Sequence, residues 1–133
     1  MVESIFHSKT GVSKAWVCRV VEKVLRVEKT RGSICVLITG DRQIRRINKE
    51  FLNHDHATDV ISFDLGEKNL MGEIVVSADT ARRVSKELGV PFREELARYL
   101  IHGTLHLLGY DDKNKKDFER MRKRQEEILT AFL

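Results

Sequence analysis

Apolar residues recur along the chain at two spacings, one typical of helices and the other of strands. Across Lys14–Glu28, valine and leucine return every three or four residues, which predicts an amphipathic helix. Ile34–Thr39 is instead a short, uninterrupted run rich in β-branched residues, which predicts a buried strand. The same criteria predict strands at Val2–Phe6, Val60–Phe63 and Gly72–Ser77, a helix from Asp41 with Ile44, Ile47 and Phe51 on one face, and helices ending at Leu88, at Gly109 and at Phe132.

Small and polar residues mark the boundaries of these elements. We predict that Gly32 ends the first helix, that Asp41 caps the second, that Ser77 or Asp79 caps the third, that Pro91 lies in the first turn of the fourth, and that Gly66–Asn69 forms a turn. The last helix, Lys116–Phe132, has Phe118, Met121, Ile128 and Leu129 as its apolar positions. The order of elements predicts an α+β fold in which about five helices cover a small mixed four-stranded sheet. The order of strands within the sheet stays open.

Composition is that of one globular domain spanning residues 1–133. Hydrophobic residues make up 41% of the 133 positions and are spread along the chain, and Trp16 is most simply a core residue. Cys18 and Cys35 are far apart in apolar surroundings, which favours buried thiols in a reducing compartment. The N-terminus lacks the apolar core of a signal peptide, and no apolar run approaches the roughly 20 residues that span a bilayer. We therefore expect a cytoplasmic location without membrane association.

The chain is mildly basic, with a formal net charge of +4. Its cations fall into three groups: Arg42, Arg45, Arg46 and Lys49; Arg82, Arg83 and Lys86; and Lys113 to Arg124. Such a balance is compatible with a polyanionic partner such as RNA. Any one group, taken by itself, is more simply a solvated helix face.

Two histidines point to metal chemistry. His102 and His106 lie four residues apart on a predicted helix, so their rings project from the same face one turn apart. That geometry lets two imidazoles bind one metal ion, although chance also produces such pairs. A helix end at Gly109 turns the chain back, so that Asp112 arrives as a third ligand. Asp111 is the neighbouring alternative and is also placed to orient a histidine.

Two histidines and one carboxylate leave a coordination position open for water, which indicates catalysis by hydrolysis. Zinc is the metal that this donor set favours, with one ion per chain and the site at the C-terminal end of a central helix. Gly103 stands where an H-E-x-x-H protease carries its general base, which disfavours peptide hydrolysis.

At this point the sequence resembles a known family. The run from His102 to Asp112, HGTLHLLGYDD, is similar to the H-G-x-L-H-L-x-G-Y-D-H signature of the YbeY-type endoribonucleases. Ile47-Asn48 followed by Ala57–Phe63 (ATDVISF) resembles the family's L-N…P-T-D-V-L-S-F segment. Gly72–Ser77 is similar to its G-[DE]-I-x-I strand, and Met121–Leu129 to its acidic, apolar final helix.

The resemblance implies a zinc-dependent endoribonuclease of the bacterial cytoplasm that prefers single-stranded RNA. It also implies a role in ribosomal RNA processing, including maturation of the small-subunit RNA 3′ end, and in ribosome quality control. RNA and the small ribosomal subunit are the implied partners, with no DNA specificity. His102 and His106 carry over as ligands, whereas Asp112 stands where the family usually has histidine. Leu52 stands where the family usually has an arginine suited to binding phosphate.

The substrate-binding candidates are Arg45, Arg46, Lys49, Arg98, Thr58 and Asp59. For Arg98 a surface salt bridge is an equal alternative to a phosphate contact, and for Thr58 and Asp59 a turn or capping role is the alternative. His54 and His56 are more simply exposed histidines than a second metal site. No residue is assigned as the proton acceptor. Two other functions stay open: a metal-stabilised ribosome- or RNA-binding factor without catalysis, which Leu52 favours, and a metalloprotease, which Gly103 disfavours.

Overall fold

The computed structural model describes residues 1–66 and 71–133. Within these ranges, four strands and five helices follow the predicted order. They are β1 (Val2–Phe6), α1 (Lys14–Val27), β2 (Ile34–Thr39), α2 (Asp41–Leu52), β3 (Val60–Asp64), β4 (Gly72–Ser77), α3 (Ala78–Leu88), α4 (Phe92–Leu107) and α5 (Lys115–Phe132). The predicted α+β class and four-stranded mixed sheet are confirmed.

The strands form one sheet in the order β1-β2-β4-β3. β1 pairs in parallel with β2, and β2 with β4, whereas β3 pairs antiparallel with β4. The parallel pair β1 and β2 is joined through α1, because parallel neighbours need a long crossover connection. β3 therefore lies at one edge of the sheet, next to the strand that follows it in the chain.

The two faces of the sheet bury different cores, because successive side chains of a strand point to opposite faces. On one face Ile74 and Val76 of β4 pack with α1, α4 and α5 in the larger cluster. On the other face Val75 packs with Ile44 and Ile61 beneath α2. Helix α4 belongs to the larger cluster and buries Leu96, Leu100, Ile101 and Leu105 completely. The helix that carries both candidate histidines is thus the central one, held between the sheet and α5.

Two boundary predictions need correction, and a third falls largely outside the described residues. α1 ends at Val27, before Gly32, because Lys29 takes a left-handed conformation (φ 52°) and the Thr30 N–H bonds to the Leu25 carbonyl at 2.9 Å. Gly40 caps α2, and Asp41 is its first helical residue. The predicted turn at Gly66–Asn69 falls largely outside the described residues.

Other boundaries agree closely with prediction. The Ser77 hydroxyl accepts from the Thr80 N–H at 3.1 Å and caps α3, and Gly89 ends that helix in a left-handed conformation. Pro91 lies one residue earlier than predicted, as the N-cap of α4.

Burial differs from prediction at a few positions. Phe51 and Phe118 are 64% and 49% exposed, so neither belongs to the core. Cys18 and Cys35 are only partly buried, although burial still raises the pKa of the Cys35 thiol. Trp16 is buried as predicted. No helix within the described ranges has both the length and the apolarity needed to cross a membrane.

Asp41 ties the start of α2 to the start of α3. Its Oδ1 accepts hydrogen bonds from the Ser77 and Thr80 hydroxyls, both at 2.6 Å, and its Oδ2 accepts one from Arg83 at 3.1 Å. In return, the Asp79 carboxylate accepts from the Asp41 N–H at 2.9 Å. Burial raises the pKa of Asp41, but the hydrogen bonds and the Arg83 charge outweigh it and hold this pKa below its usual value.

Replacing Asp41 by asparagine should lower stability by about 1–3 kcal/mol at pH 7, because three donors lose a charged acceptor. Since the pKa of Asp41 is lowered by folding, its contribution is present above the usual aspartate pKa of about 3.9 and is lost as pH falls through the lower folded value. Denaturant unfolding at pH 7 and pH 3 measures both effects, with Glu22→Gln, an exposed carboxylate of α1, as the control. A difference from wild type that is the same at both pH values would contradict this role.

Candidate metal centre

Three side chains from one stretch of chain meet beside the C-terminal half of α4. His102, His106 and Asp112 offer ligand atoms that all lie within 4.8 Å of one another. His106 Nε2 is 3.4 Å from Asp112 Oδ2, and the two imidazole ring centres are 4.7 Å apart. The structure therefore brings together the three residues that the sequence predicts as ligands.

Asp112 reaches the histidines because the chain reverses at the end of α4. The helix ends at Leu107, and Gly109 follows with φ 98°, a conformation that favours glycine. The Tyr110 N–H then bonds to the Leu105 carbonyl at 3.1 Å, which closes the turn. The turn therefore brings Asp112, three positions past Gly109, back beside α4.

The ring of His106 is oriented by the backbone. Its Nδ1 is 3.1 Å from the Tyr110 carbonyl oxygen, which can only accept a hydrogen bond. Nδ1 must therefore carry the proton in the neutral ring, and the Nε2 lone pair is left for a cation on the side of Asp112. The Asp111 carboxylate does not orient a histidine in the described structure; its Oδ1 accepts from the Lys113 N–H at 2.9 Å.

The ring of His102 is oriented by a side chain. Its Nδ1 is 2.7 Å from Oε1 of Gln125 in α5. Burial and the neighbouring His106 lower the pKa of His102, so the ring is neutral at neutral pH, which is the form that binds metals. Gln125 is not among the site residues that the sequence predicts. The available signal was a polar residue between Met121 and Ile128, on the apolar face of α5.

The donor set fits zinc. Two imidazole nitrogens and one carboxylate are accepted zinc ligands that leave a fourth position open. Ligand atoms around a tetrahedral zinc ion lie roughly 3.3–3.5 Å apart, so the separation of 3.4 Å between His106 and Asp112 already matches. A hydrogen-bond acceptor orients each histidine, as is usual for rings that bind metals.

The three residues line an open cleft of about 490 Å³. Thr58 and Asp59, which immediately precede β3, line the same cleft, as do the exposed His54 and His56. Asp59 Oδ1 also accepts from the Val60 N–H at 2.8 Å, so this side chain makes a local backbone contact in addition to lining the cleft.

The basic helix α2 borders the cleft. Its residues Asn48 and Leu52 line the cavity, and Leu52 is 44% exposed at the position where the family usually has arginine. Arg45 and Lys49 approach Asp55 at 2.9 and 3.9 Å, both on the exposed surface together with Arg46. Exposed ion pairs are worth only about 0–1 kcal/mol, so these cations can exchange Asp55 for a phosphate.

Arg98 does not line the cleft that holds the three candidate ligands. Its guanidinium contacts Glu94, Glu95 and Glu126, with 3.6 Å to the first and 3.0 Å to the last. Of the two expectations for this residue, the structure shows the salt bridge. Arg98 lines a second cavity of about 480 Å³, which also reaches His102.

The matching family model and the curated relatives carry the same family description. The family model described as "Endoribonuclease YbeY" matches residues 5–133. The Endoribonuclease YbeY of Persephonella marina is 38% identical over 127 residues, which are 90% of this chain and 83% of that protein. That of Porphyromonas gingivalis is 41% identical over 114 residues, covering 85% of this chain and 76% of the relative. A solution structure from Thermotoga maritima, 29% identical, superimposes with a TM-score of 0.68 over 99% of this chain and 91% of that one.

Proposed function

The chain belongs to the endoribonuclease YbeY family and is an RNA hydrolase, and from this premise we propose that it is a zinc-dependent endoribonuclease that prefers single-stranded RNA. The family resemblance carried by His102–Asp112 is thereby confirmed. We assign the activity to one domain, residues 1–133. Its proposed setting is the bacterial cytoplasm, in maturation of the 3′ end of the small-subunit RNA and in ribosome quality control, with the small ribosomal subunit as partner and no specificity for DNA.

The main support for the proposal is that three candidate ligands already lie together on the wall of an open cleft. They are His102, His106 and Asp112. A bound zinc ion supplies a water of lowered pKa and polarises a phosphoryl oxygen. The chain itself orients both imidazoles through Nδ1 so that Nε2 is available, and places a carboxylate beside them. These features suit metal-assisted hydrolysis of a phosphodiester.

We propose that residues around the wall of the cleft bind the substrate. Arg45, Arg46 and Lys49 hold the RNA backbone through its phosphates, an interaction that weakens steeply as salt rises. Thr58 and Asp59 contact the strand inside the cleft. A flexible single strand can bring a phosphodiester to the wall of a concave site, whereas a stiff duplex presents its backbone on a convex surface.

Leu52 supports a second candidate function. An exposed leucine at the mouth of the cleft offers no donor to a phosphate, so a factor that binds the ribosome without cutting RNA remains the alternative. A protease is disfavoured on steric as well as chemical grounds, because Gly103 has no room for the side chain of a general base.

Cleavage of matched RNA substrates tests the proposal. Zinc-loaded protein should cut a single-stranded RNA faster than a duplex of the same sequence, and a chelator should stop both reactions until zinc is restored. Gel analysis of end-labelled RNA measures the cuts. Zinc-loaded protein that co-sediments with small subunits but leaves single-stranded RNA intact would establish the non-catalytic factor instead.

A further inference from the structure

Gln125 is a buried amide on the otherwise apolar inner face of α5. It is 8% exposed and lies between Met121 and Ile128, which are both buried in the main core. A buried amide is costly unless its polar atoms find partners. Gln125 has two: its Oε1 lies 2.7 Å from His102 Nδ1, and its Nε2 donates to Glu126 Oε2 at 3.1 Å.

These contacts determine which way the amide points. A carboxylate only accepts hydrogen bonds at neutral pH, so the amide nitrogen must face Glu126 and the amide oxygen must face His102. The amide oxygen in turn only accepts, so His102 Nδ1 must carry the ring proton. The Nε2 lone pair of His102 is then the atom left for a cation.

Glu126 is itself held in place from α4. Arg98 Nε donates to Glu126 Oε2 at 3.0 Å, and Arg98 Nη2 donates to Oε1 at 3.1 Å. This two-point pairing restricts the carboxylate more than a single contact does. Arg98 precedes His102 by one helical turn, so the chain of contacts leaves α4 at Arg98, passes through Glu126 and Gln125 of α5, and returns to α4 at His102.

We propose that Gln125 is the positioning residue of the metal centre, with Glu126 and Arg98 fixing the direction of its amide. Through the amide oxygen it selects the tautomer and ring orientation in which His102 presents Nε2 to zinc. The inference rests on the proposed zinc site. It also gives a function to the salt bridge between Arg98 and Glu126, the alternative to a phosphate contact at Arg98.

Gln125→Met tests the proposal, because methionine has a similar length and cannot accept a hydrogen bond from Nδ1–H in the same way. Loss of a partner that orients a metal ligand lowers metal affinity by about 10–100-fold, and we expect a loss of this size in competition with a chromophoric chelator. The double variant Gln125→Glu/Glu126→Gln keeps an acceptor oxygen for His102 Nδ1–H without setting two carboxylates against each other, and it should bind zinc within about threefold of wild type. The matched control is Gln43→Met. It removes an amide that contacts a different histidine, His7, and should leave zinc binding at His102 unchanged.

The His102 tautomer gives a second readout that simple packing at position 125 does not change. Imidazole ¹H–¹⁵N correlations of the metal-free protein should show Nδ1–H for wild type and for Gln125→Glu/Glu126→Gln, and a mixture of tautomers for Gln125→Met. Unchanged zinc affinity and an unchanged tautomer in Gln125→Met would overturn the proposal, as would a wild-type protein that takes up no zinc. Wild type that binds zinc without cutting RNA contradicts the proposed function and leaves the role of Gln125 in place.

Discussion

His102→Ala should lower zinc affinity by about 10²–10³-fold and reduce RNA cleavage at limiting zinc by at least as much. The binding free energy of a four-ligand zinc site is about 10–16 kcal/mol, so each ligand accounts for about 2.5–4 kcal/mol, and 1.4 kcal/mol is a factor of ten. The loss is not recovered by a neighbour, because His106 and Asp112 alone leave only two protein ligands. The fold should persist, since the ring is only partly buried and lies at the wall of the cleft.

Metal content and activity are measured on the same preparations. Elemental analysis of protein purified without added metal should give about one zinc per wild-type chain and little in His102→Ala or Asp112→Ala. Asp112→His, which installs the residue usual in the family, should keep the metal. His54→Ala is the matched control, because His54 is an exposed histidine of the same cleft. One zinc retained in His102→Ala, with undiminished cleavage, would disprove the assignment of ligands.

Gly103→Ala should destabilise the fold although alanine is the better helix former. A Cβ at this position would lie 2.9 Å from Ile74 Cγ2, 3.0 Å from Val60 Cγ2 and 3.1 Å from Ser62 Oγ. Overpacking a core costs about 1–3 kcal/mol, and the gain from replacing glycine in a helix offsets at most about 1 kcal/mol. We expect a net loss of about 1–2 kcal/mol, or a fall in Tm of about 3–10 °C.

Gly103→Glu creates the H-E-x-x-H sequence and should be far worse, with a loss of more than about 4 kcal/mol, because a carboxylate would have to enter the interface between α4 and the sheet. Thermal unfolding and the soluble yield measure both variants. A double-mutant cycle with Val60→Ala identifies the clash, because removing a crowding methyl group should make the double variant more stable than the two single effects predict. Gly103→Ala with wild-type or higher Tm would show that the helix can move away from the sheet without cost.

Gly103 leads to one conclusion in the sequence and to a different one in the structure. In the sequence it indicates only that the general base of a protease is missing. In the structure its carbonyl accepts a hydrogen bond from Ser62 Oγ at 2.9 Å, and its lack of a side chain lets α4 approach β3 and β4 closely. That approach places His102 and His106 beside Thr58 and Asp59, so glycine at position 103 helps to form the cleft.

The sequence alone determined the features that depend on neighbouring residues. The helical spacing of His102 and His106, the left-handed turn at Gly109 and the return of Asp112 all lie within eleven positions, so backbone geometry suffices to bring the three side chains together. The elements themselves follow for the same reason, because hydrophobic periodicity is read over one or two helical turns or a few strand residues.

Only the tertiary structure decided which distant segments meet. The strand order β1-β2-β4-β3, the exposure of Phe118 and the pairing of Arg98 with Glu126 depend on how whole helices and strands pack. The same holds for Gln125, which is 23 positions from His102 and reaches it only because α5 lies against α4. Such contacts are selected by close packing of the core and by the need to pair every buried polar group, and both depend on the complete fold.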